Sequence, residues 1–260
     1  MDATEPQFLH VGSGDRARRI AYRWAEGRRP ALLWLPGFLS DMASTKAAAV
    51  DNWASARGLA MMRFDYSGHG LSVGDLLRAS IGDWLEESIA MCALMGRGPF
   101  ITIGSSMGGW IALLLARRLA RQGRSHELAG LVLIAPAFDM TEALIWHELP
   151  QAAKDEIGRA GVTYVPSPYG DAYPITRHLT EEGRSHLLAG QPFDPGCPVR
   201  ILQGMRDSDV PWRHALALVD LLASADVELT LIKDGGHRLS EPHDLSRLTA
   251  AIGALVQRAG

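Results

Sequence analysis

The stretch that decides the fold reads Phe100-Ile101-Thr102-Ile103-Gly104-Ser105-Ser106-Met107-Gly108-Gly109-Trp110. An apolar, β-favouring run leads directly into Gly-x-Ser-x-Gly, and a helical pattern follows up to Arg121. A serine at so tight a strand-to-helix turn is held in strained backbone angles that keep its hydroxyl clear of the sheet, and the flanking glycines leave room for the turn. The stretch therefore predicts Ser106 as a nucleophile. Ser105 is the rival, but it occupies the second position of the motif and is expected to point elsewhere.

A serine hydroxyl is a weak nucleophile until a base removes its proton, so a histidine held by a carboxylate must follow along the chain. After the β run Val199 to Gly204 comes Met205-Arg206-Asp207-Ser208-Asp209, which places a carboxylate at the end of a parallel strand, where the sites of such sheets gather. We predict Asp207 as the acid. Asp209 is the competitor, although it stands before Pro211 and can cap the next helix.

The base is expected in the glycine-rich loop Lys233-Asp234-Gly235-Gly236-His237, which follows the run Val227 to Ile232. His237 completes the chain order serine, aspartate, histidine. The other eight histidines fall outside strand-to-helix turns near the site, and His243 is expected on the surface at a helix start.

Negative charge on a substrate oxygen needs backbone N–H donors, and the helix after Ser106 directs its N-terminal amides and positive dipole end at the same point. A second amide is expected from the turn Leu35-Pro36-Gly37-Phe38-Leu39. We predict that the N–H groups of Phe38 and Met107 form an oxyanion hole. The pair Pro36-Gly37 can also simply make a turn, and both roles are compatible.

The remaining pattern alternates β-rich runs with amphipathic stretches, which is typical of a mostly parallel sheet covered by helices. Eight strands are predicted, at Gln7–Val11, Arg19–Trp24, Ala31–Leu35, Ala60–Phe64, Phe100–Gly104, Leu131–Ile134, Val199–Gly204 and Val227–Ile232. Helices are predicted at about Met42–Arg57, Asp83–Met95, Met107–Arg121, Pro211–Leu222 and Glu241–Arg258. Phe138 to Pro195 has no strand candidate and is too long for an ordinary connection. We predict one α/β domain over residues 1–260 with a small cap inserted at about 138–195, after the sixth strand.

The composition limits which kinds of partner we expect the protein to bind. The chain has 260 residues, 47% of them hydrophobic, and a formal net charge of −3, with no clustered basic residues of the kind that bind nucleic acid. No apolar run approaches the roughly 18 residues that cross a bilayer, and the first six residues are acidic where a targeting peptide is basic. We therefore expect a cytoplasmic protein. Cys92 and Cys197 lack neighbours at zinc-ligand spacing and are expected to be buried free thiols; no metal and no cofactor are predicted.

Four segments together resemble α/β-hydrolases: Pro36-Gly37-Phe38, Arg63-Phe64-Asp65-Tyr66-Ser67-Gly68-His69-Gly70-Leu71-Ser72, Gly104-Ser105-Ser106-Met107-Gly108-Gly109-Trp110 and Gly204-x-x-Asp207-x-x-Val210-Pro211-Trp212. More narrowly, the set is similar to the mitochondrial acyl-protein thioesterases, also described as mycophenolic acid acyl-glucuronide esterases, and to their bacterial relatives. Leu39-Ser40-Asp41-Met42 and Val165-Pro166-Ser167-Pro168-Tyr169 extend the likeness. The resemblance implies the α/β-hydrolase fold and cleavage of carboxylic esters or thioesters by Ser106, Asp207 and His237.

Fold and family do not fix the substrate, because specificity lies in the cap and the pocket walls. An apolar acyl pocket is expected from Trp110, Trp146, Leu149 and Tyr164, with further candidates Phe38, Ile157, Val162, Tyr169 and Tyr173. Most of these can equally form the cap's own core. Arg159, Arg177 and Arg184 leave room for one carboxylate contact, as with a glucuronic acid. The expected substrates are small esters, thioesters or acyl glucuronides, or S-acylated proteins, and the oligomeric state stays open.

Three other functions share this pattern. A C–C bond hydrolase and a cofactor-free haloperoxidase keep the same three residues, so the sequence does not separate them from an esterase. A non-catalytic ligand-binding protein can also keep the fold, although such proteins usually lose one of the three. A haloalkane dehalogenase is excluded because it would carry an aspartate in place of Ser106.

Overall fold

The computed structural model describes residues 5–167 and 170–259. Within them the strands are β1 (Gln7–Val11), β2 (Arg18–Ala25), β3 (Arg28–Leu35), β4 (Leu59–Phe64), β5 (Phe100–Ser105), β6 (Leu128–Ile134), β7 (Val162–Ser167), β8 (Gly170–Thr176), β9 (Val199–Gly204) and β10 (Val227–Ile232). The α-helices are α1 (Thr45–Ser55), α2 (Ile81–Leu94), α3 (Met107–Arg121), α4 (Gln151–Ala160), α5 (Arg177–Gly183), α6 (Trp212–Leu221) and α7 (Pro242–Ala259).

Eight of the described strands form one sheet in the order β1-β2-β4-β3-β5-β6-β9-β10. Along this order, the five neighbouring pairs from β4 to β10 are parallel. Strand β1 pairs antiparallel with β2, and β2 pairs antiparallel with β4. The predicted eight-stranded, mostly parallel sheet flanked by helices is confirmed. Because the parallel strands run the same way, the loops that follow β3, β5, β9 and β10 meet at one edge of the sheet.

The central strands are buried on both faces, which explains their nearly continuous apolar sequence. Along β3, Leu33 and Leu35 pack into the core layer beneath α2 and α3, while Leu32 and Trp34 pack into the layer beneath α1 and α7. This alternation is the period of two that a pleated strand imposes. The sheet therefore separates two apolar layers and fixes the strand ends that carry the site.

The chain leaves the sheet after β6 and returns at β9, and the part between forms a cap. It contains a π-helical turn at Met140–Trp146, α4, the hairpin β7–β8 and α5. The expectation that this segment holds no strand was wrong. Pro166 and Pro174 lower the strand signal of the two runs, but a two-stranded hairpin has only edge strands, where proline is tolerated.

Asp139 ties the two ends of the cap together. It lies at the start of the π-helical turn in the left-handed region, with φ 52°. Its buried carboxylate accepts hydrogen bonds from the amides of Leu188 (2.7 Å) and Ala189 (2.8 Å). The cap is thus anchored where it leaves the sheet and where it returns.

Two smaller predictions concern the thiols and the membrane. Cys92 and Cys197 are buried free cysteines, and burial raises the pKa of each to about 12. None of the helices in the described part of the chain is both long enough and apolar enough to cross a bilayer.

Candidate active site

Ser106 occupies a strained turn between β5 and α3. Its backbone angles are φ 53° and ψ −118°, a combination that non-glycine residues rarely adopt. The turn is tight enough to exclude side chains beside it: a Cβ on Gly104 would lie 2.3 Å from the carbonyl oxygen of Gly108, and one on Gly108 would lie 2.1 Å from that of Leu35. The Gly-x-Ser-x-Gly spacing is therefore a steric requirement of this fold. The backbone strain lies at Ser106, the residue that carries the nucleophilic hydroxyl.

The structure brings the three predicted residues together. His237 Nε2 lies 3.1 Å from Ser106 Oγ, and His237 Nδ1 lies 2.9 Å from Asp207 Oδ2. The Asp207 side chain has no exposed surface and that of His237 is 16% exposed. Because a carboxylate only accepts, Nδ1 carries the proton and Nε2 is free to accept one from the serine hydroxyl. This is the arrangement that a serine nucleophile and its base require.

Asp207 is held by four donors. Its Oδ1 accepts from the amides of Asp209 (2.9 Å) and Val210 (2.8 Å), and its Oδ2 accepts from His237 and from Gln203 Nε2 (3.2 Å). Charge-assisted bonds of this kind offset the cost of burying a carboxylate. The N-cap residue of α6 is Pro211, so the competitor Asp209 is not the N-cap residue of that helix.

Gln203 was missed at the sequence level. It is fully buried on β9, and its Nε2 also lies near the carbonyl oxygens of Val210 (2.9 Å) and Gly204 (3.1 Å). A signal was available, since a glutamine in the otherwise buried strand Val199–Gly204 needs a polar partner. Its hydrogen-bond partners are Asp207 and the loop that carries Asp207.

The competing histidines His243 and His214 have other partners. The His243 side chain is 63% exposed and faces Asp244, as expected. His214 lines the same cleft as Ser106, but it stacks on Phe138 with ring centroids 4.0 Å apart, and its Nε2 lies 2.8 Å from the Phe138 carbonyl oxygen. Burial lowers the pKa of His214, which favours its neutral form.

The predicted oxyanion donors flank the serine. A Cβ on Gly37 would lie 3.3 Å from Ser106 Cβ, so the turn after β3 touches the elbow directly. Phe38 follows Gly37 and packs edge-on against Tyr173 of β8 at 5.8 Å. Met107 is the first residue of α3, and its amide therefore precedes the helical hydrogen-bond ladder. The use of these two amides by a substrate oxygen stays a prediction.

A cleft of about 1430 Å³ opens over Ser106 and His237. Its apolar lining comes mainly from the cap, through Met140, Leu144 and Ile145 of the π-helical turn and Tyr173 of β8, together with Phe38. Its polar lining includes Ser44, Lys46 and Arg238. A cleft of this size and mixed chemistry is suited to a small organic substrate.

The predicted placement of four pocket residues was wrong, because none of them is among the residues that line the cleft. Trp110 is fully buried in the core on α3, and Leu149 is buried within the cap. Trp146 lies under Arg184, and Tyr164 is 58% exposed on β7. Two further candidates, Phe38 and Tyr173, do line the cleft, whereas Tyr169 falls outside the described residues.

The cap arginines also lie away from the cleft. Arg184 pairs with Glu142, and Arg177 donates to the carbonyl oxygen of Ile157 at 3.0 Å. Neither they nor Arg159 line the cleft, so the predicted carboxylate contact from this group was wrong. The cleft draws its cations from other elements, namely Lys46, Arg213 and Arg238.

Potential metal ligands in the described residues gather at one place. Donor atoms of Asp207, Asp209 and His237 lie within 4.8 Å of one another. Both oxygens of Asp207 already accept hydrogen bonds, and both nitrogens of His237 are engaged with Asp207 and Ser106. A cation bound there would have to break these bonds, so the group is better suited to proton transfer.

Comparison with known proteins agrees with this geometry. Residues 28–182 match the family described as serine aminopeptidase, S33. The mouse mitochondrial palmitoyl-protein thioesterase ABHD10 is 35% identical over 241 residues, which cover 92% of this chain and 79% of that protein. The solved structure of mouse α/β hydrolase domain-containing protein 10 superposes with a TM-score of 0.86 at 33% identity, covering 99% of this chain and all of the other.

A bacterial structure is similar over nearly the same length. A protein of Agrobacterium vitis S4, assigned as a hydrolase, has a TM-score of 0.93 at 42% identity and covers 97% of this chain and 98% of its own. The resemblance predicted from the sequence is thereby confirmed. The chain belongs to the serine aminopeptidase S33 family of α/β-hydrolases and is related to the mammalian palmitoyl-protein thioesterases.

Proposed function

We propose that the protein hydrolyses carboxylic esters or thioesters through an acyl-enzyme on Ser106. The observation that carries the proposal is the hydrogen-bonded chain from Ser106 Oγ through His237 to Asp207 at the floor of the cleft. The related mouse protein is named a palmitoyl-protein thioesterase, which supports thioesters beside oxygen esters. C–C bond cleavage and haloperoxidation use the same three residues, and the thioesterase relative favours ester and thioester hydrolysis over them.

The steps follow from the contacts. His237 Nε2 takes the proton of Ser106 Oγ as the oxygen attacks the substrate carbonyl, and Asp207 stabilises the imidazolium that forms. The amides of Phe38 and Met107 would stabilise the oxyanion; one such donor is worth about 2.7–4 kcal/mol. His237 then returns the proton to the leaving oxygen or sulfur, and the C–O or C–S bond breaks. Water, activated by the same histidine, releases the acid from Ser106.

The cap suggests how the acyl group is bound. Met140, Leu144, Ile145 and Tyr173 give the cleft an apolar side next to the serine. Burial of each CH₂ group there contributes about 0.8 kcal/mol. We expect acyl chains of short to medium length to be cleaved from phenyl esters and thioesters, and amides to react far more slowly.

Labelling and a substrate series test the proposal. A fluorophosphonate probe should label the wild-type protein and should fail to label Ser106→Ala. The 4-nitrophenyl esters and the matching acyl thioesters of rising chain length should be hydrolysed, whereas an amino-acid 4-nitroanilide, a probe of aminopeptidase activity, should not. The rates should be the same with and without chelator. Serine labelling without turnover of any ester or thioester would contradict the proposal and favour another reaction of the fold.

The cytoplasmic location and the absence of nucleic acid from its partners stay predictions from the sequence, which made none for the oligomeric state. The mammalian relatives are named mitochondrial. Imaging of the tagged full-length protein in its source cells would decide the compartment.

A further inference from the structure

The cleft over Ser106 has two chemically different sides. The apolar side consists of Phe38, Met140, Leu144, Ile145 and Tyr173, which pack on the core layer beneath α2 and α3. The polar side consists of Trp34, Ser44, Lys46 and Arg238, which lie where β3, the start of α1 and the loop after β10 meet. Trp34 belongs to the other core layer, the one beneath α1 and α7. The two ends of a substrate thus meet different surroundings.

Lys46 is the central group of the polar side. Its ammonium donates a hydrogen bond to the carbonyl oxygen of Arg238, the residue directly after His237. Burial lowers the pKa of Lys46 to about 8. Within residues 5–167 and 170–259, no carboxylate forms an ion pair with this ammonium, and two of its three N–H donors are uncommitted. A half-buried cation of this kind, next to a catalytic base, can bind an anion.

Two further donors on the polar side lack acceptors. In the part of the chain that the structure describes, Trp34 Nε1 and Ser44 Oγ are buried and have no hydrogen-bond partner. Trp34 is 1% exposed, although it lines the cleft. Ser44 is the N-cap residue of α1, but its side chain makes no capping bond. A buried donor without an acceptor costs about 1–3 kcal/mol. Both atoms lie beneath the surface of the cleft, so their dipoles favour negative charge on this side without being exposed to it.

The position of Lys46 indicates which part of the substrate it meets. His237 must deliver its proton to the leaving oxygen or sulfur, so the leaving group lies on the side of the histidine loop. Lys46 is hydrogen-bonded to that loop. The acyl group then lies along the apolar side, which leaves the polar side to the leaving group.

We propose that Lys46 forms a subsite for a carboxylate carried by the leaving group of the ester or thioester, with Ser44 and Trp34 in the wall of that subsite. The inference rests on the proposed function and names its preferred substrate class: acyl derivatives of a carboxylate-bearing alcohol or thiol. Ammonium–carboxylate hydrogen bonds are charge-assisted and about twice as strong as neutral ones.

Two substrates that differ in one charge test the subsite. The hexanoyl thioesters of 3-mercaptopropionate and of 3-mercaptopropionamide have the same length and scissile bond. At pH 7 we expect kcat/KM to be about tenfold higher for the carboxylate, as for one charge-assisted hydrogen bond. The oxygen esters of 3-hydroxypropionate and its amide should give the same ratio, and they separate the requirement for a carboxylate from a requirement for sulfur.

The ratio of the two kcat/KM values is the readout for the variants. Lys46→Met should bring the ratio close to one. Lys233→Met is the matched control, because Lys233 is exposed on the same loop as His237 and does not line the cleft; its ratio should stay as in the wild type. A ratio that persists in Lys46→Met would overturn the assignment to Lys46.

The pH dependence of the same ratio tests whether Lys46 acts through its charge or through its shape. Burial, followed by the charge of Arg238, lowers the pKa of Lys46, while Asp244 and Asp207 raise it, and the net result is a value of about 8. Above that pH the ammonium of the free protein loses its proton, so the wild-type ratio should fall as pH rises through 8. In Lys46→Met it should not change there. If the wild type hydrolyses both thioesters equally, the subsite is refuted and the esterase stands; if it hydrolyses neither, the proposed function itself has failed.

Discussion

Replacement of Asp207 by asparagine should abolish most of the activity while leaving the fold intact. Asp207 Oδ1 accepts two backbone amides, from Asp209 at 2.9 Å and Val210 at 2.8 Å. An asparagine carbonyl in the Oδ1 position keeps both bonds. Its NH₂ group then takes the place of Oδ2, opposite His237 Nδ1 and Gln203 Nε2.

This orientation puts the wrong proton on the base. An NH₂ group donates, so Nδ1 must accept, and the imidazole proton moves to Nε2. Nε2 lies 3.1 Å from Ser106 Oγ and could no longer accept the serine proton. The same change in serine proteases lowers kcat about 10⁴-fold, which at 1.36 kcal/mol per factor of ten is about 5.4 kcal/mol of transition-state stabilisation.

The opposite orientation of the asparagine side chain would be less stable. With its NH₂ group in the Oδ1 position it would oppose the amides of Asp209 and Val210, and two hydrogen bonds would be lost instead of the single one from Gln203. Each buried donor left without an acceptor costs about 1–3 kcal/mol. The inactive orientation is therefore the more stable one.

Asp209→Asn is the matched control, because Nδ1 of His237 bonds to Asp207. Hydrolysis of 4-nitrophenyl butyrate and the rate of fluorophosphonate labelling should fall about 10⁴-fold in Asp207→Asn and far less in Asp209→Asn. Circular dichroism melts would show whether both variants are folded. Equal losses in two folded variants would refute the assignment of the acid.

Three further outcomes are expected. Ser106→Ala should lower hydrolysis by several orders of magnitude, whereas Ser105→Ala should have a mild effect; a labelled peptide that carries the probe on Ser105 would contradict this. Activity should decline as pH decreases, because His237 must be neutral to accept the serine proton, and a rate that is flat from mildly acidic to neutral pH would argue against a histidine base. Gln203→Leu removes a donor to Asp207 and should lower both kcat and the free energy of unfolding, the latter by about 1–3 kcal/mol; an unchanged denaturant midpoint would mean that the contact contributes nothing.

The sheet and the turn at Ser106 could be predicted because burial and tight backbone geometry restrict which residues can stand there. Strands such as Val199–Gly204 and Val227–Ile232 begin and end where the pattern placed them, and α3 has the predicted bounds Met107–Arg121. A buried parallel strand must be apolar on both faces, and a turn as tight as that at Ser106 admits only glycine at Gly104 and Gly108, two residues before and after the serine. Local sequence and global packing demand the same residues there.

The cleft walls could not be predicted, because the direction of a side chain depends on tertiary packing. Trp110 follows Ser106 by one helical turn, but every residue from Met107 to Ala116 is buried, so this part of α3 has no polar face from which to infer orientation. In the cap, aromatic residues serve either the cleft or the surface, as Tyr173 and Tyr164 show. Lys46 was overlooked because a single lysine at a helix start is usually solvated.

One glycine explains how the base reaches the serine at all. In the sheet, β6 and β9 lie between β5, which carries Ser106, and β10, which precedes His237; at about 4.8 Å per strand that is roughly 14 Å. The loop after β10 must therefore cross the end of β9, and it does so over Gly204: a Cβ there would lie 2.4 Å from the carbonyl oxygen of Gly235. The amide of Arg206 in turn donates to the same oxygen at 2.9 Å. The stretch from Gly204 to Asp207 therefore supplies the acid and also the glycine over which the loop that carries His237 crosses β9.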